Sequence, residues 1–166
     1  RGEWDLQGGL FATRPLGDGV RQITPHFALV NTRAPGHLRV DIGAGWHLDE
    51  RTGGTEERWR WTETEATVIV DNPHPRPLKV VGTVDGRSLG ERDISLAPQG
   101  ASATTPTVRM NDNRTQTAFP PFTIPPGRST PVLHSRQPAA ASAPGDPRAL
   151  AVCVFRLELA AMEEGK

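Results

Sequence analysis

Residues 66–85 read Ala66-Thr-Val-Ile-Val-Asp-Asn-Pro-His-Pro-Arg-Pro-Leu-Lys-Val-Val-Gly-Thr-Val-Asp85. Two β-branched runs, Ala66–Val70 and Leu78–Asp85, flank a loop in which every second residue is proline. Valine, isoleucine and threonine are stiff at χ1 and fit a pleated surface, and no helix cap flanks either run. Proline cannot donate to a sheet ladder, so Asn72–Pro77 must leave the sheet. Asp85-Gly86 tolerates positive φ at both positions. It predicts a hairpin joining Leu78–Asp85 to a short returning strand near Ser88–Leu89.

The same period of two recurs on either side. Phe27–Val30, His37–Ile42, Arg58–Trp61, Glu91–Leu96, Thr107–Met110, Ala118–Ile124, Pro131–Ser135 and Leu150–Leu159 all read as strands bounded by turn residues. Near the C-terminus Leu157, Ala160 and Ala161 have helical spacing. The alternation of Val152, Val154 and Arg156 against Cys153, Phe155, Leu157 and Leu159 predicts a strand instead. Ten short strands separated by turns give an all-β fold, a two-layer antiparallel β-sandwich of jelly-roll type. The expected division is an irregular lead-in over 1–24, a sandwich domain over 25–160 and a tail over 161–166. Pro125-Pro126-Gly127 reads as a loop. Gln99–Thr107 and Gln137–Pro147 carry little to bury and read as mobile.

Composition agrees with this class. The chain has 166 residues, and Gly (17) and Pro (16) make up about a fifth of it, which disfavours a helical bundle. Nineteen basic and nineteen acidic residues cancel, so no long-range field recruits nucleic acid or an anionic membrane. Arginine outnumbers lysine 17 to 2, which fits a GC-rich coding bias. The longest apolar run is far short of the ~20 residues of a membrane span. Cys153 is the single cysteine, which excludes an intrachain disulfide, and its apolar setting reads as a buried small hydrophobe. The chain begins with Arg1, which fits a processed product or one piece of a larger polypeptide.

The tryptophans carry the functional reading. Trp46, Trp59 and Trp61 fall within sixteen positions, in a stretch that also holds Asp49, Glu50, Arg58 and Arg60. On a strand Trp59 and Trp61 share one face while Arg58 and Arg60 share the other. Exposed, the indoles form a sugar platform, with Asp49, Glu50, Arg58 or Arg60 bonding the hydroxyls. Buried, Trp59 and Trp61 fill the sandwich core. Trp46, beside a glycine-rich turn, suits either role.

Other chemistry is thin. His26, His37, His47, His74 and His134 are scattered, and only His47 and Asp49 have the i, i+2 spacing that a zinc site on a strand would use. Asp41, Asp49, Asp112 and Asp146 could feed a structural calcium site through loop oxygens, but no loop is dense in ligands. The expectation is no cofactor and no metal. His134 and Ser135 are adjacent, so on a strand they point to opposite faces and cannot form an activated pair. No nucleophile elbow, phosphate loop or paired catalytic carboxylates is present. Glu56-Glu57 and Glu63/Glu65 read as a solvated edge that blocks sheet-to-sheet association. Asn113-Arg114-Thr115 matches a glycosylation acceptor, a pattern short enough to arise by chance. In Asp146-Pro147-Arg148 the proline extends the aspartate, whose carboxylate can bond turn amides and pair with Arg148.

Several segments in order resemble a known domain type. Gly43-Ala-Gly-Trp46-His, Glu57-Arg-Trp59-Arg-Trp61-Thr and Ala66-Thr-Val-Ile-Val70 resemble the opening of a galactose-binding-like sandwich. Such domains form the C-terminal, extracytoplasmic end of bacterial multi-pass membrane proteins of the glycosyltransferase type. Val80-Val-Gly-Thr-Val-Asp85-Gly86-Arg, Phe122-Thr-Ile-Pro125-Pro126-Gly127 and Gly145-Asp146-Pro147-Arg148 are similar to its later blocks. The resemblance spans roughly residues 37 to 159. It departs in the charged, glycine-rich Trp46–Trp59 loop and in the bland Ala101–Thr107 stretch. It implies a non-catalytic accessory domain, periplasmic or at the cell surface, whose partners are a glycan or lipid-linked sugar and a neighbouring domain of the same polypeptide. The expected carbohydrate contacts are Trp46, Asp49, Arg58, Trp59, Arg60 and Trp61. The alternative is a purely structural sandwich that packs on a neighbouring module.

Overall fold

The computed structural model of the chain describes residues 4–101 and 103–163. The outer ends of the expected lead-in and tail, and Ser102 in the 99–107 stretch, lie outside the described residues. Among those described, the regular structure is sixteen strands and no helix. In chain order they are β1 (Trp4–Gly8), β2 (Phe11–Arg14), β3 (Val20–Thr24), β4 (Phe27–Asn31), β5 (Arg39–Ile42) and β6 (Glu50–Arg51). Next come β7 (Arg58–Trp61), β8 (Glu65–Asn72), β9 (Leu78–Ser88), β10 (Arg92–Ala97) and β11 (Val108–Met110). The last five are β12 (Thr115–Ala118), β13 (Phe122–Ile124), β14 (Gly127–Ser129), β15 (Val132–Ser135) and β16 (Val152–Ala161).

The fold is an all-β sandwich. One large sheet runs β11-β10-β15-β8-β14, with β5 also on β8. The other runs β12-β9-β16-β7-β6, with β13 on β9 and β2 on β16. Every pairing is antiparallel except β2 on β16, which is parallel. The core lies between these sheets: Val68, Val70, Ile94, Leu96 and Leu133 of the first meet Val80, Val84, Val154 and Leu157 of the second. The alternation in β8 and β9 sends their even-numbered residues inward. Each fully buried Val, Leu or Ile contributes about 1.5–3 kcal/mol, so this interface is the main source of stability. A third, small sheet, β1-β4-β3, is built from the N-terminal region.

Three local expectations are corrected. The segment before residue 25 is not irregular: it supplies β1, β2 and β3, and β2 joins the large sheet beside β16. Its strands are short and polar, so period alone gave little signal. Asp85-Gly86 is not a hairpin turn, because β9 continues through it to Ser88. A Cβ on Gly86 would collide with the carbonyl oxygen of Cys153 on β16, so this glycine serves close strand approach. The expected strand over Ala118–Ile124 is broken into β12 and β13 at Pro120-Pro121, which offer no N–H to the ladder.

The stretch 137–147 is also tied down. Asp93 N donates to Gln137 Oε1 at 2.8 Å, and Gln137 Nε2 donates to Asp93 Oδ2 at 3.0 Å. Arg92, 4% exposed, donates to the carbonyls of Gln137 and Pro138 at 2.8 and 2.9 Å. The same guanidinium reaches the Leu89 carbonyl, Ser135 Oγ and the Leu150 carbonyl at 2.8, 3.2 and 3.4 Å. A buried cation is thus solvated by protein oxygens in place of water, with no carboxylate in the set.

One irregularity positions the outer face. The register of β16 against β9 shifts between Val154 and Arg156, a β-bulge. Val152 and Val154 before it, and Leu157 and Leu159 after it, all reach the core. The bulge therefore leaves Phe155 and Arg156, consecutive in sequence, on the same outer face.

Candidate functional site

The β6–β7 hairpin pairs Glu50 with Trp59 and Arg51 with Arg58. Asp49, just before it, sits between two arginines: Arg58 Nη1 lies 3.3 Å from its Oδ2 and Arg60 Nε 3.3 Å from its Oδ1. Arg60 Nη1 also donates to the His47 carbonyl at 3.1 Å. The half-buried indole of Trp59 packs on Phe155 with ring centroids 5.6 Å apart and planes tilted by 42°. Asp49, Arg58, Trp59 and Arg60 line one groove of about 240 Å³, completed by Leu10, Phe11 and Asp41.

The other two tryptophans do different work. Trp46 stands edge-on to Phe11 at 5.6 Å and 89°, and its indole N–H donates to the Thr67 carbonyl at 2.8 Å. It is half-buried and buttresses Phe11 from behind the groove. Trp61 is 5% exposed and packs with Leu150 and Cys153, so its ring offers no platform. Cys153 lies opposite Trp61 on β16, between the inward-facing Val152 and Val154. This second cluster is therefore on the outer face of the sheet, not in the main core. The Arg87 guanidinium lies over the Trp61 ring, 5.1 Å from its centroid. Burial pushes the Cys153 thiol up to about 11.

A larger groove of about 580 Å³ adjoins the first and shares Gly9 and Arg58 with it. Its floor is Phe155 and Arg156, placed together by the bulge. Arg114 caps Phe155, with Cζ 3.7 Å from the ring centroid. The same guanidinium holds Asp85 at 2.8 Å and Glu57 at 2.5 Å. Hydrogen bonding to Asp85, then to Glu57, holds Arg114 firmly in its charged form. Phe27, 39% exposed, forms the opposite wall, its ring lying over Gly8 where any Cβ would collide with it. The sequence reading missed this groove. Its signal was the apolar pattern of 150–159, in which both alternating sets are hydrophobic and only a change of phase buries Val154 and Leu157 together.

The remaining candidates are engaged elsewhere. Glu50 accepts from Arg148, which also pairs with Asp146 at 3.1 Å. The Arg148 guanidinium, the Ser142 hydroxyl and the Arg148 amide hold the Asp146 carboxyl well below the usual carboxylate range. Asp112 accepts from the Gly90 amide at 3.0 Å and Asp41 from the Ile42 amide at 2.7 Å. His47 Nε2 lies 2.8 Å from the Ala149 carbonyl oxygen. Among the described residues no three His, Cys, Asp or Glu side chains are grouped to hold a metal ion. Ser135 Oγ donates to the Gln137 carbonyl, while His134 Nε2 lies 3.8 Å from Glu65 Oε1. No helix among the described residues is long and apolar enough to cross a membrane. No protein-family model matches the chain, and no curated protein matches it.

Proposed function

We propose that the chain is a non-catalytic, carbohydrate-directed accessory domain with a jelly-roll, galactose-binding-like sandwich. In this reading it is extracytoplasmic and forms one part of a larger, membrane glycosyltransferase-like protein. One observation carries the binding role: Trp59, Asp49, Arg58 and Arg60 converge on a single groove. A pyranose needs a flat apolar surface for its C–H face and fixed donors and acceptors for its hydroxyls. The Trp59 indole supplies the first, and the Arg58–Asp49–Arg60 set supplies the second in a geometry already fixed by its own ion pairs. Trp46 acts indirectly, by holding Phe11 in the wall. The setting and the family rest on the sequence resemblance alone.

The test is a tryptophan-fluorescence titration with a panel of neutral oligosaccharides, run beside Trp59→Ala. Saturable quenching that is lost in the variant supports the reading. No response across the panel overturns it.

A second reading, a sandwich that packs on a neighbouring module of the same polypeptide, is favoured by the small sheet. Leu6 (57%), Ile23 (54%) and Phe27 (39%) are exposed on its strands, and isolated domains rarely leave such residues together without a use. A photo-crosslinking residue at Leu6 in the longest natural polypeptide then yields an internal adduct. Only solvent quenching at that position would count against it.

A further inference from the structure

The larger groove carries chemistry that a neutral sugar does not need. Four arginines line it (Arg51, Arg58, Arg114 and Arg156) against three carboxylates, Glu56, Glu57 and Asp85. Arg114 takes up both Glu57 and Asp85, and Arg58 is paired with Asp49. Arg51 and Arg156 have no ion-pair partner among the described residues, and Glu56 is the only lining carboxylate left unpaired there. The β-bulge that turns Arg156 outward, beside Phe155, is a device that re-aims a side chain next to a site.

We infer that this groove binds the carboxylate of an acidic sugar, a uronate residue within an oligosaccharide whose neighbouring residue occupies the Trp59 groove. This rests on the carbohydrate reading given above and extends it to a substrate class. A guanidinium fork matches a carboxylate with two parallel, charge-assisted hydrogen bonds, and Arg156 and Arg51 are free to make them. The exposed face of Phe27 offers the apolar surface for the ring. The two grooves meet at Gly9 and Arg58, which suits consecutive units of one chain. Glu56 sets the charge of the ligand: one free carboxylate beside two free arginines leaves a single net positive charge, which a monoanionic uronate neutralises and a dianionic phosphate exceeds.

The test is calorimetric titration of the intact chain with trigalacturonate, with the neutral trisaccharide of the same linkage, and with a sugar phosphate. The inference expects trigalacturonate to bind at least tenfold tighter than either of the others and to weaken as salt is raised. Arg156→Gln should weaken trigalacturonate at least tenfold and leave the neutral trisaccharide unchanged. Arg51→Gln, at an exposed position, should act in the same direction if Arg156→Gln fails to fold. Equal affinity for acidic and neutral trisaccharides, or trigalacturonate binding unchanged in both variants, overturns the inference while leaving the neutral-sugar reading intact. A sugar phosphate that binds tightest overturns the uronate assignment. Failure of wild type to bind any of the three removes both.

Discussion

Arg148 donates to Glu50 across 98 positions of sequence, at 2.5 Å, and clamps the end of the β6–β7 hairpin to the turn that leads into β16. The same side chain pairs with Asp146, so one guanidinium bridges two carboxylates. Arg148→Gln should lower Tm by a few degrees at neutral pH, since all three groups are partly solvated and screened. It should also remove an acid limb. The folded Asp146 carboxyl lies below its ordinary value, so its stabilisation is present above about pH 4 and fades as pH falls through the native value. Thermal scans from pH 7 to pH 2 should show a steeper acid decline in wild type than in Arg148→Gln.

Arg92 should be the costliest polar side chain to remove. Its truncation takes a donor from five oxygens, four of them backbone carbonyls; the Gln137 and Leu150 carbonyls keep Ser135 Oγ and the Ala140 amide, while those of Leu89 and Pro138 lose theirs. Arg92→Met should cost about 3 kcal/mol in urea unfolding, and Arg92→Lys should recover only part of it because one ammonium cannot span the set. A loss below about 1 kcal/mol would mean that water replaces the guanidinium without penalty.

The core strands were legible because their chemistry is one-sided. In β8 and β9 the even-numbered set holds Val68, Val70, Val80 and Val84 and no charge, while the odd-numbered set, Ile69 and Val81 apart, is polar, and a period of two has only one way to face a core. The outer face was not legible, for a matching reason. Around Val154–Arg156 the inward and outward sets are both apolar, so a one-residue bulge changes which side chains share a face without leaving a mark in composition. Asp85-Gly86 misled similarly: the pair that usually makes a turn here sits where β16 needs to approach closely and where Arg114 needs a partner. In the candidate site, the neighbourhood of Asp49, Arg58, Trp59 and Arg60 was readable from their closeness in the sequence. That Trp61 would be covered by Leu150 and Cys153, ninety positions away, depends on tertiary packing that spacing does not encode.

His37 gives the fold a second pH dependence. Its side chain is 2% exposed, and burial, then the positive charge of Arg39 and His74, lowers its pKa; Asp5 acts the other way. The unfolded imidazole takes up a proton below 6.5 while the folded one resists. Stability from this group is therefore full above that value and declines as pH falls below it. Wild type should lose stability between pH 7 and pH 5 by more than His37→Phe does, measured as the difference in Tm across that interval.

Cys153 should be inert in the native state. With the thiol pushed up to about 11 and the residue fully buried, almost no thiolate is available at pH 8. A thiol-reactive disulfide reagent should give no release until denaturant is added, then one equivalent. Rapid native labelling would show that the cluster of Trp61, Leu150 and Cys153 opens readily.

In the proposed role Trp59, and not Trp61, presents its indole to a sugar. The chain's four tryptophans give separate indole N–H signals in a nitrogen–proton correlation spectrum, assignable by single replacement with phenylalanine. On titration with an oligosaccharide drawn from the neutral and uronate panels, the Trp59 signal should move in a saturable way. The Trp61 signal should stay in place. An unmoved Trp59 signal, or a shift confined to Trp61, would rule out Trp59 as the sugar platform.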